Sequence, residues 1–178
     1  MEKLDIILKF IPLLGFIPFM KAILEYIKDV KWKKSEFLSR EIKDFQNDEN
    51  VKIVFQLLDW NSRKVKLKCG ERVVSDQDLC NALQTHNIKN KFSIPEAELR
   101  DVFDDFFDRL SIFNIYIKNG LISEKELYDY IGYYINILTS SKRKPDTLVK
   151  TFENYLRYYQ FVNVLELIER FNNKNTKE

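Results

Sequence analysis

The stretch from Ser93 to Gly120, SIPEAELRDVFDDFFDRLSIFNIYIKNG, decides how the rest of the chain is read. Leu99, Phe103, Phe106, Leu110, Phe113 and Ile117 recur in alternating four- and three-residue steps. That rhythm puts six large apolar side chains along one side of a helix and predicts a packing seam. Ser93 and Glu96 have capping-box spacing around Pro95, and Gly120 supplies the stop, so the helix is predicted over 95–119.

The neighbouring segments repeat the pattern. Ser123 and Glu126 form a second capping box ahead of Leu127, Ile131, Tyr134, Ile135 and Leu138. Pro145 and Asp146 open a last helix expected to run to Asn172, with Leu148, Phe152, Tyr155, Tyr159, Val162 and Leu165 facing inward. Upstream, a helix over 35–46 is expected, with Ser35 as N-cap and Phe37, Leu38, Ile42 and Phe45 near one face. A second is expected over 49–61, burying Val51, Val54, Phe55 and Leu58, and a short one over 76–86. Residues 64–74, KVKLKCGERVV, break the helical period and fit a loop or short hairpin. Four Gly and four Pro against 14 Phe and nine Tyr leave little turn material for a sandwich or barrel, so the fold class is all-α.

The first thirty residues differ in kind. Residues 4–27, LDIILKFIPLLGFIPFMKAILEYI, read as a membrane-seeking segment with Phe10, Ile11, Pro12, Leu13, Leu14, Phe16, Ile17, Pro18 and Phe19 at its centre. The uncharged run would span only about 16 Å as a helix, and the whole segment about 35 Å. Asp5 with Lys9 and Lys21 with Glu25 are opposite-charge pairs at helical spacing, one near each end. Glu2 and Asp5, with no small-residue cleavage site, argue against a secretory signal. Lys28, Lys31, Trp32, Lys33 and Lys34 make an interfacial collar of the kind found on the cytoplasmic side, which places the remaining chain inside the cell at the inner membrane. A helix this short and this charged is favoured by self-association, so a homo-oligomer in contact with membrane lipid is expected. A core helix of a soluble protein is the rival reading. The expected division is 1–34 as membrane segment and collar, 35–172 as helical bundle and 173–178 as a frayed tail.

Chemistry is sparse. The +2 net charge of 29 basic and 27 acidic groups gives no global pull toward nucleic acid. Cys69, Cys80 and His86 fall short of a closed four-ligand zinc site, so no metal or other cofactor is expected, and two cysteines make no disulfide framework. Asp101, Asp104, Asp105 and Asp108 suit either a hard cation or the solvated back of the aromatic seam, and the second is the commoner use. The segment DWNSR (59–63) reads as a structural Asp–Arg pair or as an RNA contact, with Trp60 for stacking and Arg63 for phosphate. Arg63, Lys64, Lys66, Lys68 and Arg72 are the strongest basic stretch, so with Trp60 they form the candidate RNA surface. No Ser–His–Asp, Cys–His or H-E-x-x-H set can be assembled around one histidine, and no catalytic residue is assigned.

In length, order of parts and helix content the chain resembles the small membrane accessory proteins of type VI-B RNA-targeting CRISPR systems. The resemblance implies a divergent HEPN-like helical domain, assembly into a membrane pore in antiviral defence, and RNA or an RNA-guided effector nuclease as partner. HEPN ribonucleases carry an Arg followed by a His on the last helices. The corresponding pair here is Arg157 and Asn163, and Asn cannot exchange a proton at neutral pH. A degenerate fold used for binding or assembly therefore fits better than a ribonuclease. A soluble helical interaction module is the alternative.

Overall fold

A computed structural model describes the backbone of residues 2–175 and the side chains of 18–173. The described residues form seven helices and one hairpin: α1 (Glu2–Asn47), α2 (Glu49–Asp59), β1 (Ser62–Leu67), β2 (Gly70–Ser75), α3 (Asp76–Ala82), α4 (Ile94–Lys118), α5 (Glu124–Thr139), α6 (Asp146–Tyr158) and α7 (Val162–Asn175). The protein is mostly helical, and the hairpin is its one departure from all-α among these residues. The chain divides into two units, Met1–Arg40 and Glu41–Glu178.

In the second unit, α4 packs mainly against α2, α3 and α7. Leu99, Phe103, Phe106, Leu110 and Phe113 of the expected seam are buried, and Phe107 beside them is equally so. Phe106 and Phe113 meet Phe45 at ring-centroid distances of 5.9 and 5.2 Å. Phe103 stacks on Phe152 of α6 at 5.7 Å, and Phe107 meets Phe161 at 5.4 Å. Across the bundle, Phe55 of α2 lies parallel to Tyr134 of α5, 3.7 Å between centroids. Such rings bury large apolar areas, and their offset and edge contacts add about 0.5–1.5 kcal/mol per pair.

The helix starts follow capping chemistry. Ser93 with Glu96 and Ser123 with Glu126 form both expected capping boxes, and Ser75 with Asp78 forms a third. Asp48 accepts from the amides of Asn50 and Val51 at 2.9 and 3.1 Å, and its other oxygen takes Arg109 of α4 at 2.6 Å. One carboxylate thus begins α2 and ties it to α4.

Several boundaries differ from expectation. The helix expected to begin at Ser35 is part of one continuous α1, because nothing between Leu13 and Asn47 other than Gly15 and Pro18 interrupts a helix, and neither stops it here. Helix α2 ends at Asp59 and α3 at Ala82, short of Asn61 and His86. The last helix is two. Gln160 adopts φ 59°, while Gln160 N–H donates to Arg157 O and Phe161 N–H to Leu156 O. That is the Schellman pair that ends a helix, normally with glycine at the left-handed residue. The break resets the buried face: Val164, Leu167 and Phe171 are inside, whereas Val162 is exposed and Leu165 half-buried. Residues 173–175, assigned to the frayed tail, continue α7.

The 64–74 segment is a hairpin in which Val65 pairs with Arg72 and Lys66 with Glu71. Gly70, at φ 124°, makes its turn. Val65, Leu67 and Val74 are buried on one face.

Candidate functional site

The residues that carry candidate chemistry fall into three places. The first is the surface around the end of α2. Trp60 caps α2 with an extended backbone, and 57% of it is exposed. The Arg63 guanidinium lies 5.5 Å from its ring centroid. Lys64 and Lys66 stand on the outer face of β1, Lys64 paired with Glu71 at 2.5 Å, and Lys68 is exposed in the turn. Arg72 lies opposite Val65 and is half-buried, so it does not share the outer face with Lys64 and Lys66. The alternation of a strand divides what the sequence shows as one basic run.

Sequence reading missed the second half of this surface. Tyr133 on α5 is 44% exposed and donates its hydroxyl to Asp59 Oδ1 at 3.0 Å. Arg143 donates to the Tyr133 oxygen at 2.6 Å, with its guanidinium 4.8 Å from the ring centroid. Burial, then the bond to Asp59, raises the Tyr133 hydroxyl above its usual range. The expected Asp59–Arg63 pair is therefore replaced: Asp59 takes Tyr133, and Arg63 takes the face of Trp60. Two exposed aromatic rings, each with its own arginine, are linked through adjacent residues. Rings and guanidinium groups of this kind accept stacked bases, and the cations accept phosphates. Beside them Lys144, buried, donates to Leu57 O at 2.8 Å, Trp60 O at 2.8 Å and Asp76 Oδ1 at 2.7 Å. It fixes the backbone under Trp60.

The second place is the junction of α4 and α6. Arg100 is buried and donates to Ala82 O at 2.9 Å, Gln84 O at 2.7 Å and Tyr159 Oη at 2.7 Å. Its guanidinium also lies 4.3 Å from the Phe92 ring centroid and 5.0 Å from that of Tyr155. The Tyr159 oxygen accepts from Arg100 and from the His86 amide, so its own proton points to His86 Nδ1, which it contacts closely. That leaves His86 Nε2 carrying the ring proton toward solvent. Next to it Tyr155 donates to Asp104 Oδ1 at 2.7 Å. Desolvation raises Asp104 above the ordinary carboxylate range, against the opposing effects of Tyr155 and Arg100.

No family model, curated protein or solved structure matches this chain.

The four aspartates do not act together. Asp104 is tied to Tyr155, Asp105 accepts from Asn50 Nδ2 at 3.0 Å, and Asp101 and Asp108 are exposed. Among the described residues, no group of three or more His, Cys, Asp or Glu could hold a metal ion. Cys80 is buried, Cys69 is exposed, and hydrogen bonding to Glu98 is the main cause that raises the Cys69 thiol. Arg157 and Asn163, expected on one helix, lie on either side of the break at Gln160. Arg157 pairs with Glu153 at 3.0 Å, whereas Asn163 Oδ1 accepts from Asn114 at 3.2 Å and Lys118 at 3.1 Å.

The third place is α1. The side chains of Phe10, Ile11, Pro12, Leu13, Leu14, Phe16 and Ile17, and of the Asp5–Lys9 pair, lie outside the described residues. Pro18 and Phe19 are exposed. At about 100° per residue, Phe19, Met20, Ile23, Leu24, Tyr26, Ile27 and Val30 share one side of the helix, and Lys21, Glu25, Lys28 and Asp29 the other. Phe19 is 61% exposed, Leu24 54% and Ile27 55%. Lys21 and Glu25 stand 3.8 Å apart, as their spacing suggests. No helix among the described residues is long and apolar enough to cross a membrane.

Proposed function

We propose that the chain is an oligomeric, membrane-perturbing accessory protein of RNA-guided antiviral defence, held at the cytoplasmic face of the inner membrane through α1 and acting without catalysis. The observation that carries this reading is the two-sided stretch 18–30, with large apolar side chains exposed along one arc and paired charges along the other. Such a helix lies in the interface with its apolar arc about 5–10 Å deep. Half-burying five side chains of this size contributes roughly 5 kcal/mol. Lys31, Trp32 and Lys33 follow directly, a cation–aromatic pairing suited to anionic headgroups. The two-sided arc suits an in-plane role, in which α1 perturbs lipid when several copies gather. The defence assignment, and with it a divergent HEPN-like domain, rests on the resemblance in layout. Dye release from anionic vesicles tests the activity, with Ile23→Glu/Ile27→Glu expected to abolish it. No leakage, together with full antiviral protection after deletion of residues 1–34, rejects the reading.

A second reading is favoured by the paired Trp60–Arg63 and Tyr133–Arg143 surface: a binding face for single-stranded RNA. Fluorescence anisotropy with a labelled oligouridine tests it. Trp60→Ala is expected to weaken binding about tenfold or more, and Arg143→Ala to lower the salt slope by about one. Absence of saturable binding at low salt removes this reading and leaves the first in place.

A further inference from the structure

The exposed arc of α1 has a counterpart elsewhere on the chain. Between the end of α5, α6 and α7 runs a groove of about 500 Å³. Val149, Val162, Leu165 and Ile168 contribute its apolar lining, and Val162 is 55% exposed. Glu153, Glu166 and Glu169 stand among these residues against a single guanidinium, Arg157. Lys118 engages Glu166 at 2.5 Å and Arg157 engages Glu153 at 3.0 Å, and the rim remains acidic on balance.

The length, polarity and charge of the groove match residues 19–33. From Val162 to Asn172 the α7 wall runs about 15 Å, and Phe19 to Val30 covers about 16 Å at the helical rise. Ile27 is exposed and Ile23 and Val30 are half-buried, and the three branched side chains stand at four- and three-residue steps, the spacing with which a helix fills a groove. Lys31 and Lys33 then follow beside an acidic rim.

We propose that α1 of one copy docks, through Ile23, Ile27 and Val30, into the α5–α6–α7 groove of a second copy. The contact joins two different surfaces, so each chain offers one arm and one groove. Head-to-tail contacts of this kind build rings where the rotation closes and filaments where it does not. The inference rests on the self-association in the reading above and not on its membrane step. It adds a competition, because the same arc of α1 cannot face lipid and groove together.

The test uses the full chain and light-scattering mass. An arm variant, Ile23→Glu/Ile27→Glu, and a groove variant, Val162→Lys/Glu169→Lys, are each expected to elute as monomers with unchanged helical circular dichroism. Both groove substitutions are at exposed positions and leave the core alone. Mixed together, the two variants are expected to form a one-to-one complex, since one intact arm and one intact groove remain. A groove variant that keeps the mass of the unmodified protein overturns the proposal, because self-association then does not use the groove. An unmodified chain that stays monomeric overturns it too, including one whose α1 is protected from protease by its own groove. Vesicle co-sedimentation separates this from the membrane reading. The groove variant should bind anionic vesicles at least as well as the unmodified chain, and loss of vesicle binding by the unmodified chain would sink only the membrane step.

Discussion

Replacing Lys144 by Met keeps the length of the side chain and removes its charge, and it tests how the second unit is held together. The Nζ donates three short bonds, to the carbonyls of Leu57 and Trp60 and to the Asp76 carboxylate. The Lys144 side chain is 1% exposed and that of Asp76 12%, so water cannot replace the lost partner without opening the site. Two carbonyls at the end of α2 lose their donor, and an anion remains at the start of α3. Removing one member of a buried ion pair costs about 3–5 kcal/mol. With a urea m-value of about 2 kcal/mol/M, the midpoint should fall by about 2 M. The measurement is urea unfolding followed by fluorescence in a Trp32→Phe background, where Trp60 is the one remaining tryptophan. Its carbonyl is one of the three acceptors, so its emission should also shift before global unfolding. Adding Asp76→Asn should recover part of the loss. A midpoint drop below about 0.5 M for Lys144→Met, about 1 kcal/mol, would refute the assignment of Lys144 as the pin of this junction.

Other expectations follow from single contacts. Asp104 is raised by burial, so the folded state holds its proton more tightly than the unfolded one. Its contribution therefore turns unfavourable as pH rises from the ordinary aspartate value of 3.8 through the raised folded value. Asp104→Asn should remove that loss, and urea midpoints should favour the variant increasingly toward neutral pH; parallel pH profiles would disprove it. Gln160→Gly should raise stability by about 1 kcal/mol by relieving a left-handed residue, whereas Gln160→Val should lower it, both read by thermal unfolding. Tyr159→Phe strips Arg100 of one acceptor and His86 of its hydroxyl partner, at a cost of about 1–3 kcal/mol. Because the chain has one histidine, a single set of imidazole NMR signals should report the released ring.

The helix seams and starts were readable because they depend on neighbours. Capping boxes at Ser93 and Ser123 and the α4 seam need only residues three or four apart. The break at Gln160 was hidden because the left-handed residue is neither Gly nor Asn, and the apolar spacing passes through Val162 without interruption. The start expected at Ser35 failed for the opposite reason: a good capping residue also tolerates a helix interior. The site was legible only in part. Trp60 and Arg63 are three residues apart, and their contact follows from local composition. Asp59 reaches Tyr133 across 74 positions, and Lys144 reaches Leu57 across 87. Pairings of that range depend on the tertiary arrangement, and a lysine in a basic loop gives no sign that it turns inward. In α1 the apolar composition and the Lys21–Glu25 spacing were visible in the sequence, whereas the exposure of Phe19, Leu24 and Ile27 needed the structure.

The inward turn of Lys144 also sets how the chain meets a protease. Lys142 and Arg143 are exposed at the tip of the α5–α6 connection, an inviting place for trypsin, yet their neighbour is anchored inside the fold. Cleavage requires several residues on either side of the bond to extend into the enzyme, so the tip must first be let go. Nicking here becomes a clock for the departure of one ammonium group from its cage. Its rate under native conditions measures how often the junction of α2, α3 and α6 comes apart while the α4 core stays shut.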